Sequence, residues 1–144
     1  KPTNGVMSTV TEDVIQTDMQ NLCNKVLDLQ HIRFAGLISN NGNLYAGGFK
    51  KGITPRINDE KRRSMYMRFA LESCFRNDFD ETLGAFRCST IQREKTSIIT
   101  VNICNHILLV FTEPRIDLQI KTVEIQSIIE NYKRDFLNQI LEKI

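Results

Sequence analysis

The sequence predicts an α+β domain in which a five-stranded antiparallel sheet carries helices on both faces. Three observations lead there. Apolar residues recur at helical spacing in three separated segments, and five short runs between them have the texture of strands. The run Ile107-Leu108-Leu109-Val110-Phe111 is apolar at both parities, as a strand covered on both sides must be, which places it at the centre of the sheet. At 144 residues there is room for one domain, and with 41% hydrophobic against 25% charged residues a disordered chain is excluded.

Residues 1–9 (KPTNGVMST) read as a flexible tail, and residues 10–144 as a single domain. The first helix carries the stripe Ile15, Met19, Leu22, Val26 and Leu29, widened by Cys23 and Leu27, with Thr9 or Thr11 as its cap. Ile32 to Ser39 and Leu44 to Phe49 then flank Asn40-Asn41-Gly42-Asn43, a hairpin signal because Asn-Gly tolerates positive φ. Gly36, Gly47 and Gly48 lie inside these strands and mark close packing of a helix on the sheet rather than a ligand loop, since neither GxGxxG nor GxxxxGK[ST] is present.

Gly52 and Pro55 make Lys50 to Ile57 a loop. Asn58 caps a middle helix that runs to about Arg76, with Asp59 and Glu60 favourable in its first turn. Three strands follow, Leu83 to Gln92, Ser97 to Cys104 and Ile107 to Phe111, joined by turns at Arg93-Glu94-Lys95 and Asn105-His106. Pro114 stops the last strand. Asp117 caps a final helix from Leu118 to Ile144 whose stripe is Ile125, Ile128, Ile129, Tyr132, Phe136, Ile140 and Ile144.

Composition narrows the function classes. The net charge of +2 is too small to argue nucleic-acid binding, and the longest apolar run falls far short of the roughly 20 residues of a membrane span. The four cysteines, Cys23, Cys74, Cys88 and Cys104, form no CxxC pair and read as small buried hydrophobes. With no signal-peptide pattern, a cytoplasmic location is expected. His31 and His106 sit at strand boundaries without a nucleophile motif, and Cys104-Asn105-His106 reads as a turn rather than a metal or thiol site. No catalytic residue, metal or cofactor is assigned.

The hairpin FAGLISNNGNLYAGG, the single helix between the second and third strands and the run ILLVF before a closing helix resemble the roadblock family, the profilin-like domains of dynein light chains and of scaffolds for small GTPases. More narrowly, FAGLISNNGNLYAGGFKKG, DEKRRSMYMRFALE and NHILLVFTEP together resemble a family of small uncharacterised archaeal proteins. The resemblance implies the sheet order 2-1-5-4-3, with the middle helix on one face and the first and last helices on the other. It also implies dimerisation through the middle helix and third strand, and a regulatory or scaffolding role with a small GTPase as a candidate partner. A PAS-type sensor shares the sheet order but places several short helices where this chain has one. Its ligand pocket is the alternative function, and Arg87, Thr100 and Asn102 are the polar residues that would serve it.

Two surfaces are singled out. Lys50, Lys51, Arg56, Lys61, Arg62, Arg63 and Arg68 fall within nineteen positions opposed by two acids, a basic patch for an acidic partner or, third in order, nucleic acid. Lys50, Lys51 and Arg56, with Phe136 and Ile140 on the far end of the final helix, are the expected partner contacts. On the middle helix, Met67, Ala70, Leu71 and Cys74, with Phe75 at their margin, are expected to face the sheet. Met65, Tyr66 and Phe69, bordered by Arg62, Ser73 and Arg76, are expected to form an outward dimer seam.

Overall fold

The computed structural model describes residues 16–103 and 105–142, of which residues 136–142 by backbone alone. The tail, the Thr9 or Thr11 cap, Ile15 and Cys104 lie outside the described residues. Helix α1 spans residues 16–27 and is followed by β1 (Ile32–Ile38) and β2 (Leu44–Phe49). Helix α2 (Asp59–Arg76) continues through a 3-10 turn (Asn77–Phe79) into the single-turn α3 (Asp80–Leu83). Strands β3 (Cys88–Gln92), β4 (Ser97–Ile103) and β5 (His106–Thr112) lead to α4 (Leu118–Glu142).

Local chemistry sets the boundaries. The Asn58 side chain accepts the Lys61 N–H at 2.9 Å, and that of Asp117 accepts the Ile120 N–H at 3.1 Å, so both expected caps satisfy an otherwise orphaned donor. In the hairpin turn, Gly42 has φ +78° and donates to the Ser39 carbonyl, while the Ser39 N–H donates to Asn43. The third strand is shorter than expected. Asp80 to Leu83 form a helical turn ended by Gly84 at φ +86°, so pairing begins only at Cys88.

The sheet is antiparallel throughout, in the order β2-β1-β5-β4-β3, which puts β5 at the centre. Its alternation feeds two cores. Leu108 and Val110 pack with Ala35, Leu37, Ile99 and Val101 under Leu22, Cys23 and Val26 of α1 and Leu118, Ile125 and Ile129 of α4. Ile107, Leu109 and Phe111 face the other way, with Phe34, Ile38 and Ile98, under Tyr66 and Phe69 of α2. One helix therefore covers one face, and the first and last helices cover the other. Burial pushes the Cys23 thiol up to about 11, which keeps it an inert part of the first core.

Gly36 and Gly47 are sites of close approach, though to atoms of β1 and β2 rather than to a helix, while Gly48 has nothing within 4 Å of a new Cβ. Gly36 pairs with Gly47. A side chain at Gly36 would meet the ring of Phe34 at 2.6 Å, and one at Gly47 would meet the Ala35 carbonyl oxygen at 2.1 Å. Helix α1 does reach this point, since the Gly47 N–H donates to Gln20 Oε1 at 2.9 Å.

His106 opens β5 opposite Ile103, inside the ladder and not in the turn. Its ring lies 5.2 Å from that of Tyr45, and burial holds its pKa below the ordinary histidine value. The unfolded chain then binds the proton first as pH falls, so stability is full above about pH 6.5 and declines as pH drops towards the folded-state value. Going from about pH 7.5 to about 5.5, the urea midpoint should fall further for the natural chain than for His106→Gln. Parallel declines would rule this contribution out.

Candidate functional site

Helix α2 carries apolar residues on two sides, and of the four residues expected to face the sheet only Ala70 is buried, the larger buried side chains coming from the opposite side. Tyr66 is 4% and Phe69 8% exposed, packed on the aromatic face of the sheet with Met65 half-buried beside them. The reason is the sheet's own composition. Phe34, Phe49 and Phe111 form a cluster with ring centroids 4.8–6.4 Å apart, and Tyr66 stacks on Phe34 at 6.2 Å. Burial raises the pKa of the Tyr66 phenol, with the Arg62 guanidinium pulling it partly back.

The cationic border turns inward as well. Arg62 lies over the Phe49 ring at 4.9 Å, donates to the Ile57 carbonyl and pairs with Asp59. Arg76 lies over Phe86 at 4.4 Å and reaches Glu72 at 3.3 Å, while Ser73 is half-buried. Within the single chain, Tyr66 and Phe69 of the expected seam are thus part of the core.

What α2 exposes instead is a row spaced by four residues: Met67, Leu71, Phe75, Phe79 and Leu83, each 47–79% exposed. Cys74 is exposed and Cys88 half-buried, so the expectation of uniformly buried cysteines fails for the first of these. The signal for the row was present in the sequence, because its period runs on past the helix end into the 3-10 turn and α3. Beyond Leu83 the chain enters β3, which among the described residues pairs with β4 alone and has no strand on its other edge.

The basic segment divides in two. The Lys50 ammonium donates to the Leu29 carbonyl at 3.1 Å, and the Lys50 N–H donates to the Arg33 carbonyl. Glu113 bridges Arg33 at 2.7 Å and Arg56 at 3.7 Å, and Arg33 also donates to the Thr54 carbonyl at 3.0 Å. Lys50 and Arg56 therefore brace the loop against the ends of β1 and β5. Lys51, Lys61, Arg63 and Arg68 stay exposed. Phe136 and Ile140 lie outside the residues whose side chains are described.

The inward polar residues do not make a site under α2. Thr100 is buried but is hydrogen-bonded to Ser89, Asn102 is half-buried and Arg87 is exposed. Among the described residues no three His, Cys, Asp or Glu side chains gather to hold a metal ion, and no helix is long and apolar enough to cross a membrane.

Residues 12–141 match the profile of a family described as "Family of unknown function (DUF6659)". The chain belongs to the DUF6659 family. No curated protein matches this DUF6659 chain in sequence. Among solved structures it is similar to Myxococcus xanthus MglB, with 18% identity, TM-score 0.60, and coverage of 89% of this chain and 90% of that one. It is similar to a Roadblock/LC7 domain from Streptomyces avermitilis at 11% identity and TM-score 0.59, covering 82% and 97%. The gliding protein MglB of Thermus thermophilus matches at 15% identity and TM-score 0.58, covering 80% and 87%. At these identities the likeness is one of fold, and the fold of this DUF6659 protein is roadblock-like.

Proposed function

We propose that this protein is a non-enzymatic regulatory or scaffold domain that self-associates through α2 and the adjoining β3 edge and presents the joint surface to a protein partner. The observation that carries the reading is the exposed row Met67, Leu71, Phe75, Phe79 and Leu83. An apolar row of this length, rich in Phe and Met, has the composition of an interface core rather than of a solvated helix. Two copies related by a two-fold axis would cover each other's rows. The seam keeps the helix of the original expectation and exchanges its face: Tyr66 and Phe69 support it from beneath, and Phe75 stands near its middle.

The partner is a protein, and the roadblock resemblance makes a small GTPase the first candidate. Exposed Lys51, Lys61, Arg63 and Arg68 would steer an acidic partner surface. Arg56 and Lys50 shape the loop that presents Lys51. The end of α4 bearing Phe136 and Ile140 is a second proposed contact.

Light scattering should give twice the 16.6 kDa chain mass at tens of micromolar. Phe75→Glu puts a charge into the row and should weaken self-association by about 30-fold or more, corresponding to about 2 kcal/mol or more at an interface core. Because Phe75 is 70% exposed in the single chain, the variant should keep its fold. A natural chain that is monomeric at this concentration, or a Phe75→Glu variant that stays dimeric, overturns the seam.

A further inference from the structure

A cleft of about 850 Å³ opens on the α2 face of the sheet, beside the amino-terminal half of the helix and apart from the exposed row. Its floor is apolar, built from Phe49 of β2, Phe111 of β5 and Met65 of α2. Its borders are cationic. Arg56 comes from the loop after β2, on one side of the sheet, and Arg93 and Lys95 from the β3–β4 turn, on the other. Four lining side chains are positive, with Arg33 the fourth, and Glu94 is the only negative one.

These cations differ in what they already hold. Arg33 is committed, with an 11% exposed side chain bound to Glu113 and to the Thr54 carbonyl. Arg56 meets Glu113 at only 3.7 Å and is 44% exposed. Arg93 and Lys95 make no ion pair among the described residues. The β3–β4 turn is held in shape by its backbone, the Arg93 N–H donating to the Thr96 carbonyl at 3.1 Å, so both side chains are left available.

We propose that this cleft binds a small amphipathic organic anion. An aromatic or acyl body would lie on Phe49, Met65 and Phe111, with a carboxylate, sulfonate or phosphate group between Arg56 and the pair Arg93 and Lys95. The volume falls within the roughly 300–1,000 Å³ typical of small-molecule sites. The apolar floor disfavours an inorganic anion, which would lose hydration there without gaining contact. The cationic borders favour an anionic ligand over a neutral one, which would gain nothing from them. Arginine at the border suits a planar, two-oxygen anion that a guanidinium can grip through two N–H donors.

The test uses the full chain and two probes, 8-anilinonaphthalene-1-sulfonate and its uncharged counterpart N-phenyl-1-naphthylamine. The sulfonate should bind saturably at one site per chain, detected by fluorescence. Arg93→Glu with Lys95→Glu should weaken it by about tenfold or more, while Lys51→Glu with Arg63→Glu, the same charge change outside the cleft, should alter it by less than about twofold. Arg56→Gln approaches from the other side and should weaken it by about threefold, so the inference does not depend on one variant folding. The uncharged probe should not distinguish the variants. Phe75→Glu should leave sulfonate binding intact, which separates this inference from the self-association reading. Absence of saturable binding, equal losses in the two double variants, or no loss in Arg93→Glu with Lys95→Glu would overturn it.

Discussion

Replacing Gly47 with alanine is expected to destabilise the domain by about 3 kcal/mol or more, the sum of backbone strain and overpacking. Gly47 sits in β2 at φ +91°, a conformation that a side chain resists through its own backbone sterics. The added Cβ would also lie 2.1 Å from the Ala35 carbonyl oxygen and 2.9 Å from the Gly36 Cα. Both belong to β1, which is hydrogen-bonded on its other side to β5 and has no free direction in which to retreat. The displaced β2 would in turn lose the Gly47 N–H bond to Gln20, which together with the bond from Gln16 to the Tyr45 carbonyl ties α1 to this edge of the sheet. Gly52 provides the control, with φ +86° but nothing within 4 Å of a new Cβ. Gly52→Ala should therefore cost only the strain, about 1 kcal/mol. Urea denaturation of the two variants separates the effects. A Gly47→Ala loss no larger than that of Gly52→Ala would mean that the approach of the strands is not limiting.

Phe34→Ala should cost about 3–5 kcal/mol, the range for deleting a buried aromatic ring. Phe34 is 1% exposed and belongs to the α2-side core. Its ring is edge-on to Phe49 at 4.9 Å, stacked on Phe111 at 4.8 Å and on Tyr66 at 6.2 Å. It also fills the space that a side chain at Gly36 would take, with its Cζ 2.6 Å from that position. Gly36→Ala should accordingly destabilise the natural chain, yet be better tolerated once the ring is gone. In a double-mutant cycle the pair should fall short of the sum of the single losses by about 0.5–3 kcal/mol, as for residues in contact. Additive losses would show that Phe34 does not hold Gly36 to its size.

Several features were legible in the sequence because their causes are local. Asn58 and Asp117 cap their helices through donors three residues away, and Asn41-Gly42 turns the chain through a positive φ next to its own hydrogen bonds. The central place of β5 could be read from one strand, since residues apolar at both parities require cover on both faces. The sheet order was reached through the resemblance to the roadblock family, not through spacing.

Which side of α2 is buried was settled only on assembly of the sheet. Tyr66 and Phe69 on one side compete with Met67, Leu71 and Phe75 on the other, and an isolated helix has no means of choosing between two apolar sides. The choice belongs to Phe34, Phe49 and Phe111, which come from three strands and meet only when the sheet is assembled. The same holds for the cleft. Arg56 and Lys95 are 39 positions apart in the chain, and only the pairing of β1, β5, β4 and β3 brings both to one apolar floor. Where the cause was a bond within a few residues, the outcome was written in the chain; where it was a competition between surfaces, the folded sheet made the choice, because burial is a property of what a side chain meets.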